Sequence, residues 1–98
     1  METEIMFKVV LKDNSIKEFG FGKLKETMQF VKDNIDNLKE VWKCGRVICQ
    51  LDEYYYYFYF RSNGDICCSL EDRDYYNGKF IVKDRFLKDL ESYLIWEM

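Results

Sequence analysis

Tyr54-Tyr55-Tyr56-Tyr57-Phe58-Tyr59-Phe60-Arg61 places seven aromatic rings in eight residues. Ser62-Asn63-Gly64-Asp65 follows, and then Ile66-Cys67-Cys68-Ser69-Leu70. Asn-Gly between two strand-like runs signals a β-hairpin, because a type I′ turn needs positive φ at both central residues. Side chains alternate across a strand, so the run divides into two faces. Tyr54, Tyr56, Phe58 and Phe60 share one, and Tyr55, Tyr57, Tyr59 and Arg61 share the other. A two-residue turn at Asn63-Gly64 predicts Phe60 opposite Cys67, Tyr59 opposite Cys68, Phe58 opposite Ser69 and Tyr57 opposite Leu70. Neither face has the polar alternation of a half-solvated sheet, so each calls for a cover. The rings are either core, with hydroxyls reaching water at the edge, or in part an exposed contact patch.

Outward from this hairpin the chain reads as a single α+β domain over residues 1–98. Residues 4–12 alternate as a strand with Ile5, Phe7, Val9 and Leu11 on one face. Asp13-Asn14 suits a tight turn, and Ser15 to Phe21 returns. With a two-residue turn, Val9 meets Glu18, so a bulge near Glu18 is needed to bring Phe19 inward. Leu24, Met28, Val31, Ile35 and Leu38 recur by fours and threes, the stripe of an amphipathic helix. The stripe continues to Val41 or Trp42 with Gly45 as the stop; the shorter alternative ends the helix near Asn37 and leaves Glu40 to Cys44 extended. Arg46 to Leu51 is a strand with Val47, Cys49 and Leu51 inward. Lys79 to Val82 is a short extended piece, and Asp84 to Trp96 is a second helix with a stripe of Phe86, Leu87, Leu90, Tyr93 and Leu94. The expected order is ββαβββα, a five-stranded antiparallel or mixed sheet with two amphipathic helices.

Composition narrows the function. The 98 residues contain no histidine and no proline, and carry a net charge of −3. Lacking histidine, the chain lacks the commonest general base and the commonest zinc ligand. A net acidic chain does not suit direct nucleic-acid binding. Residues 1–49 hold nine Lys/Arg against eight Asp/Glu, and residues 50–98 hold six against ten, so the acidity lies in the hairpin half. Cys44, Cys49, Cys67 and Cys68 match no common zinc spacing, and their apolar strand contexts predict buried, inert thiols. Glu71, Asp72 and Asp74 lack the EF-hand pattern. Gly20-Phe21-Gly22 is too short to be a phosphate loop. No metal, cofactor or catalytic group is expected. With no membrane-spanning apolar run, the expected setting is the cytoplasm, with reduced thiols.

The expected contact surface joins Tyr55, Tyr57 and Tyr59 to the acidic, tyrosine-bearing loops, namely Asp65, Glu71, Asp72, Asp74, Tyr75 and Tyr76. Carboxylates framing aromatic area suit a basic protein surface. The chain is rich in Lys, Asn, Ile, Tyr, Phe, Asp and Glu and contains no Ala. In this style it is similar to accessory proteins of phages and mobile elements, including anti-CRISPR and other anti-defence inhibitors. The leading expectation is a small, acidic, non-enzymatic binding protein that covers a basic, nucleic-acid-handling surface of a host or defence protein. Two alternatives stand beside it. One is a nucleotide or small-ligand binder that stacks its ligand on tyrosines. The other is a homodimer whose aromatic strands cover one another.

Overall fold

A computed structural model describes residues 5–53, 57–61, 66–69 and 82–96, with side chains placed over 5–53, 58–61 and 86–95. Six strands form one antiparallel sheet: β1 (Ile5–Leu11), β2 (Ile16–Gly20), β3 (Leu38–Lys43), β4 (Arg46–Asp52), β5 (Tyr57–Phe60) and β6 (Ile66–Ser69). Their spatial order is β2-β1-β3-β4-β5-β6. Helix α1 (Leu24–Asp33) leads from edge strand β2 over one face to β3 on the far side of β1, and α2 (Val82–Trp96) follows the β3–β6 meander. The helices touch each other, and α1 lies against β1 and β2 while α2 lies against β4 and β6, so both occupy the same face. The α+β class and the antiparallel sheet agree with the sequence, and the sheet holds one strand more than expected.

That strand is β3. The helical stripe stops at Asp33 because Asn34 caps its own helix: its backbone N–H reaches the Phe30 and Val31 carbonyls at 3.1 and 3.2 Å. Its side-chain amide also donates to the Phe30 carbonyl at 2.9 Å. A 3₁₀ turn, Ile35–Asn37, follows, and Leu38 is already extended at φ −72, ψ 137. Gly45 therefore stops no helix. Cys44 and Gly45, with φ of 52 and 80, are the central residues of the β3–β4 hairpin, flanked by the Lys43–Arg46 pair. These are the positive angles a type I′ turn requires.

Two registers differ from the sequence expectation. The β1–β2 loop has three residues: Asn14 donates to the Leu11 carbonyl, Leu11 donates to Ser15, and Asn14 takes φ 71. This is the familiar turn with a left-handed last residue. It puts Phe19 opposite Phe7 with no bulge at Glu18; the irregularity falls at Met6 instead. In the β5–β6 pair, Tyr57 meets Ser69, Phe58 meets Cys68 and Tyr59 meets Ile66, a ladder slipped from the predicted one and interrupted at Cys67. The Asn63-Gly64 turn itself lies outside the described residues, as do Lys79 to Ile81; Val82 belongs to α2.

One apolar cluster fills the space between sheet and helices, joining Phe7, Val9 and Val41 to Phe58, Phe60 and Phe86. Phe58 and Phe60 are buried, as the two-residue period predicts. Phe86 stacks on Phe58 with ring centres 4.6 Å apart, and Tyr93 stacks on Phe60 at 4.0 Å. Cys49 and Leu51 are core as expected. Val47 is not: the ladder skips Ile48 and pairs Val47 with Trp42, on the opposite face. Ile5 is exposed rather than inward.

Candidate binding face

With both helices on one side, the other side of the sheet carries no element among the described residues. Backbone register assembles it in two rows. Ile16, Val10, Glu40, Gln50 and Tyr59 are consecutive partners across β2, β1, β3, β4 and β5. Glu18, Lys8, Trp42 and Val47 form the parallel row. Directly paired side chains on one face stand about 5 Å apart, close enough to touch. Val10 is 9% exposed yet does not join the helix-side cluster, as befits a residue packed among neighbours on this face.

Five side chains of the face form one directed chain. Arg61 Nη1 donates to the Tyr59 hydroxyl at 3.2 Å. Tyr59 in turn donates to Gln50 Oε1 at 3.2 Å, and Gln50 Nε2 donates to Glu40 Oε2 at 3.0 Å. From the other side, Trp42 Nε1 donates to Glu40 Oε1 at 2.9 Å. Every donor runs toward the Glu40 carboxyl group, both of whose oxygens accept. Gln50 uses both ends of its amide, which fixes its orientation. Cations lie over both aromatic rings: Lys8 Nζ is 4.2 Å from the Trp42 ring centre and the Arg61 guanidinium 5.8 Å from that of Tyr59. Trp42 and Tyr59 are half-buried in this arrangement. Their rotamers are held by these hydrogen bonds.

Of the residues read from sequence as the contact surface, Tyr59 lies in the middle of this chain. Tyr57 is described in its backbone, paired with Asp52 and Ser69. Tyr55, Asp65, Glu71, Asp72, Asp74, Tyr75 and Tyr76 lie outside the described residues. Sequence reasoning missed Lys8, Glu40, Trp42 and Gln50. Two of these, Glu40 and Trp42, have no sheet neighbours if 38–43 continues the helix, and Lys8 and Gln50 then lack the strand that joins them. The usable signal was Glu40-Val41-Trp42-Lys43 running into a two-residue turn.

Cys49 is buried on the helix side, and Cys44 is exposed at its turn, not in an apolar strand interior as the sequence suggested. Among the described residues, no group of three or more His, Cys, Asp or Glu side chains is placed to hold a metal ion. Likewise none of their helices is long and apolar enough to cross a membrane. Comparison with known proteins gives no match to a family model, a curated protein or a solved structure.

Proposed function

We propose that this chain is a small, acidic, non-enzymatic binding protein whose sheet face opposite the two helices is its contact surface. The observation that carries this reading is the pair Trp42 and Tyr59, presented on the face opposite the helices and fixed by a continuous hydrogen-bond chain. Rigid aromatic side chains with one polar tip give contact area at low ordering cost, and a preorganised surface loses less entropy on binding. The acidic excess of residues 50–98 directs the partner choice toward a basic surface, as on a host or defence protein that handles nucleic acid. In this proposal the chain acts in the cytoplasm as a phage or mobile-element inhibitor of the anti-CRISPR kind, and it works by occupying the surface that nucleic acid would use.

The nucleotide reading is less well supported. A base stacking on Trp42 or Tyr59 must first displace Lys8 or Arg61 from the ring face. A protein partner can instead contact ring edges and the cations together.

The test is displacement of labelled DNA from a panel of foreign-DNA-cleaving nucleases, read by fluorescence anisotropy. The chain releases DNA from at least one of them. Trp42→Ala with Tyr59→Ala raises the concentration required by tenfold or more, as expected for hot-spot residues at about 2 kcal/mol. Charge reversal at Glu71, Asp72 and Asp74 weakens it further, chiefly by slowing association. Release unaffected by both sets of changes refutes the proposed surface. No release from any nuclease in the panel refutes the proposed class of partner.

A further inference from the structure

On the opposite side of the molecule, an open groove of about 260 Å³ runs between the two helices, lined by Lys25, Met28, Gln29, Lys32, Leu87, Lys88 and Glu91. Met28 and Leu87 are half-buried, rest on the core and floor the groove. Lys25 and Lys32 stand on one wall and Lys88 on the other, with Glu91 the one acid among the described lining residues. The described lining is thus locally +2 on a chain of net charge −3. Among the described residues, the ion pair of α1 is Lys23 with Glu26, at 3.9 Å, and it involves none of the groove lysines.

We propose that this groove docks an acidic amphipathic helix of a partner protein, seated by an apolar side chain on Met28 and Leu87 and held by carboxylates at Lys25, Lys32 and Lys88. Three features point to that occupant. The volume lies just below the roughly 300–1,000 Å³ of small-molecule clefts and is open to solvent, which suits a side chain presented by a polypeptide. Methionine is a common floor for such helix-in-groove docking because its thioether adapts to the entering side chain. Lys25 and Lys32 are seven residues apart on one helix, two turns or about 10.5 Å along the axis. A partner helix lying alongside matches that spacing with acids at i and i+7 and an apolar residue between. The proposal is independent of the sheet-face reading, since no residue is shared.

The test is selection from a displayed library of randomised 15-residue helical peptides, followed by anisotropy with the enriched peptides. The expected result is enrichment of Glu or Asp at i and i+7 around Leu, Met or Phe. Binding should then fall at least tenfold with Lys25→Glu plus Lys32→Glu, and also with Met28→Gln, in variants whose circular dichroism matches the parent. Charge reversal is the better lever than salt, because the net negative chain repels an acidic peptide at long range while the groove attracts it at short range. Three outcomes overturn the proposal: no enrichment, enrichment of basic or uncharged peptides, or binding that survives the lysine reversals. Concentration-dependent dimerisation abolished by the same reversals would also overturn it, by assigning the groove to a second copy of this chain.

Discussion

Replacing Phe86 by alanine tests how α2 is fastened to the sheet. The ring is fully buried and lies almost parallel to Phe58 at 4.6 Å and to Phe60 at 6.2 Å. Buried Phe→Ala changes cost roughly 3–5 kcal/mol, the transfer loss plus the cavity left behind. Two stacked ring contacts, each about 0.5–1.5 kcal/mol beyond area burial, argue for the upper half of that range, about 4 kcal/mol. A domain of this size has a total stability of roughly 5–15 kcal/mol, so the loss is a large share of it. At about 4–8 °C per kcal/mol, the melting temperature drops by some 15 °C or more. Phe86→Leu keeps most of the volume and loses both stacked contacts, for about 1–3 kcal/mol, and stays measurable where the alanine variant unfolds. Ile95, exposed on the same helix, is the control: Ile95→Ala should fall within about 0.5 kcal/mol of the parent. Urea titrations followed by circular dichroism give all three values at constant m. If Phe86→Ala costs under about 1 kcal/mol, or no more than Ile95→Ala, α2 does not dock on the aromatic strand and the assignment of its two faces fails.

Other perturbations read the sheet face and the turns. Glu40→Gln offers one acceptor oxygen where Trp42 and Gln50 both donate, so one donor loses its partner; the expected cost is about 1 kcal/mol, with a shift of the Trp42 indole N–H resonance, and an unmoved resonance contradicts the hydrogen-bond chain. In the β3–β4 turn, Cys44→Asn should stabilise by about 0.5–1 kcal/mol because asparagine tolerates positive φ, while Gly45→Ala should destabilise by about 1–2 kcal/mol; equal effects of the two changes contradict the positive φ angles there. The Asp13 carboxylate is held below its usual pKa, first by the Ser15 hydroxyl at 2.6 Å and then by the Ser15 backbone N–H at 2.9 Å. A depressed folded-state pKa contributes stability above the unfolded-state value that is lost as pH falls through the folded-state one. Ser15→Ala should therefore raise the Asp13 pKa toward the ordinary carboxylate value in an NMR titration, and an unchanged titration refutes the hydroxyl's role.

Periodicity was legible wherever it does not depend on register. Phe58 and Phe60 point to the core in any pairing of β5, and the Phe86, Leu90 and Leu94 stripe of α2 is buried as spaced. Residues 38–43 favour a helix in sequence because Leu38, Val41 and Trp42 continue the helical spacing of Ile35, and their strand alternation is interrupted at Lys39. The deciding group is the Asn34 amide folded back on Phe30, a local bond that composition does not announce. Register was the least legible level. The ladders skip Met6, Lys39, Ile48 and Cys67, and an unpaired residue in one strand re-addresses those beyond it. The skip at Ile48 takes Val47 out of the expected core and sets it beside Trp42. Much of the sheet face was hidden for the same reason, since it exists only once β3 joins β1 to β4.

The hydrogen-bond chain also constrains how the sheet face can meet a basic partner. Glu40 is central and already accepts from Trp42 and Gln50, one donor on each oxygen, so an incoming lysine or arginine shares the carboxylate with them. Among the described residues, the acids Glu18 on β2 and Asp52 at the end of β4 also belong to this face, on either flank of the aromatic pair. A basic surface is then steered by the flanks and by the acidic residues beyond Asp52 in sequence, while Trp42 and Tyr59 supply contact area between them. Charge changes at Glu18 and Asp52 should therefore act mainly on association rate, and changes at Trp42 and Tyr59 mainly on dissociation rate. The helix groove adds an internal control. Lys25 and Lys32 share no partner with the sheet face, so effects of the two sets of substitutions on a partner that uses one surface should add within about 0.5 kcal/mol. Strong non-additivity would mean that one partner grips both sides of the domain at once.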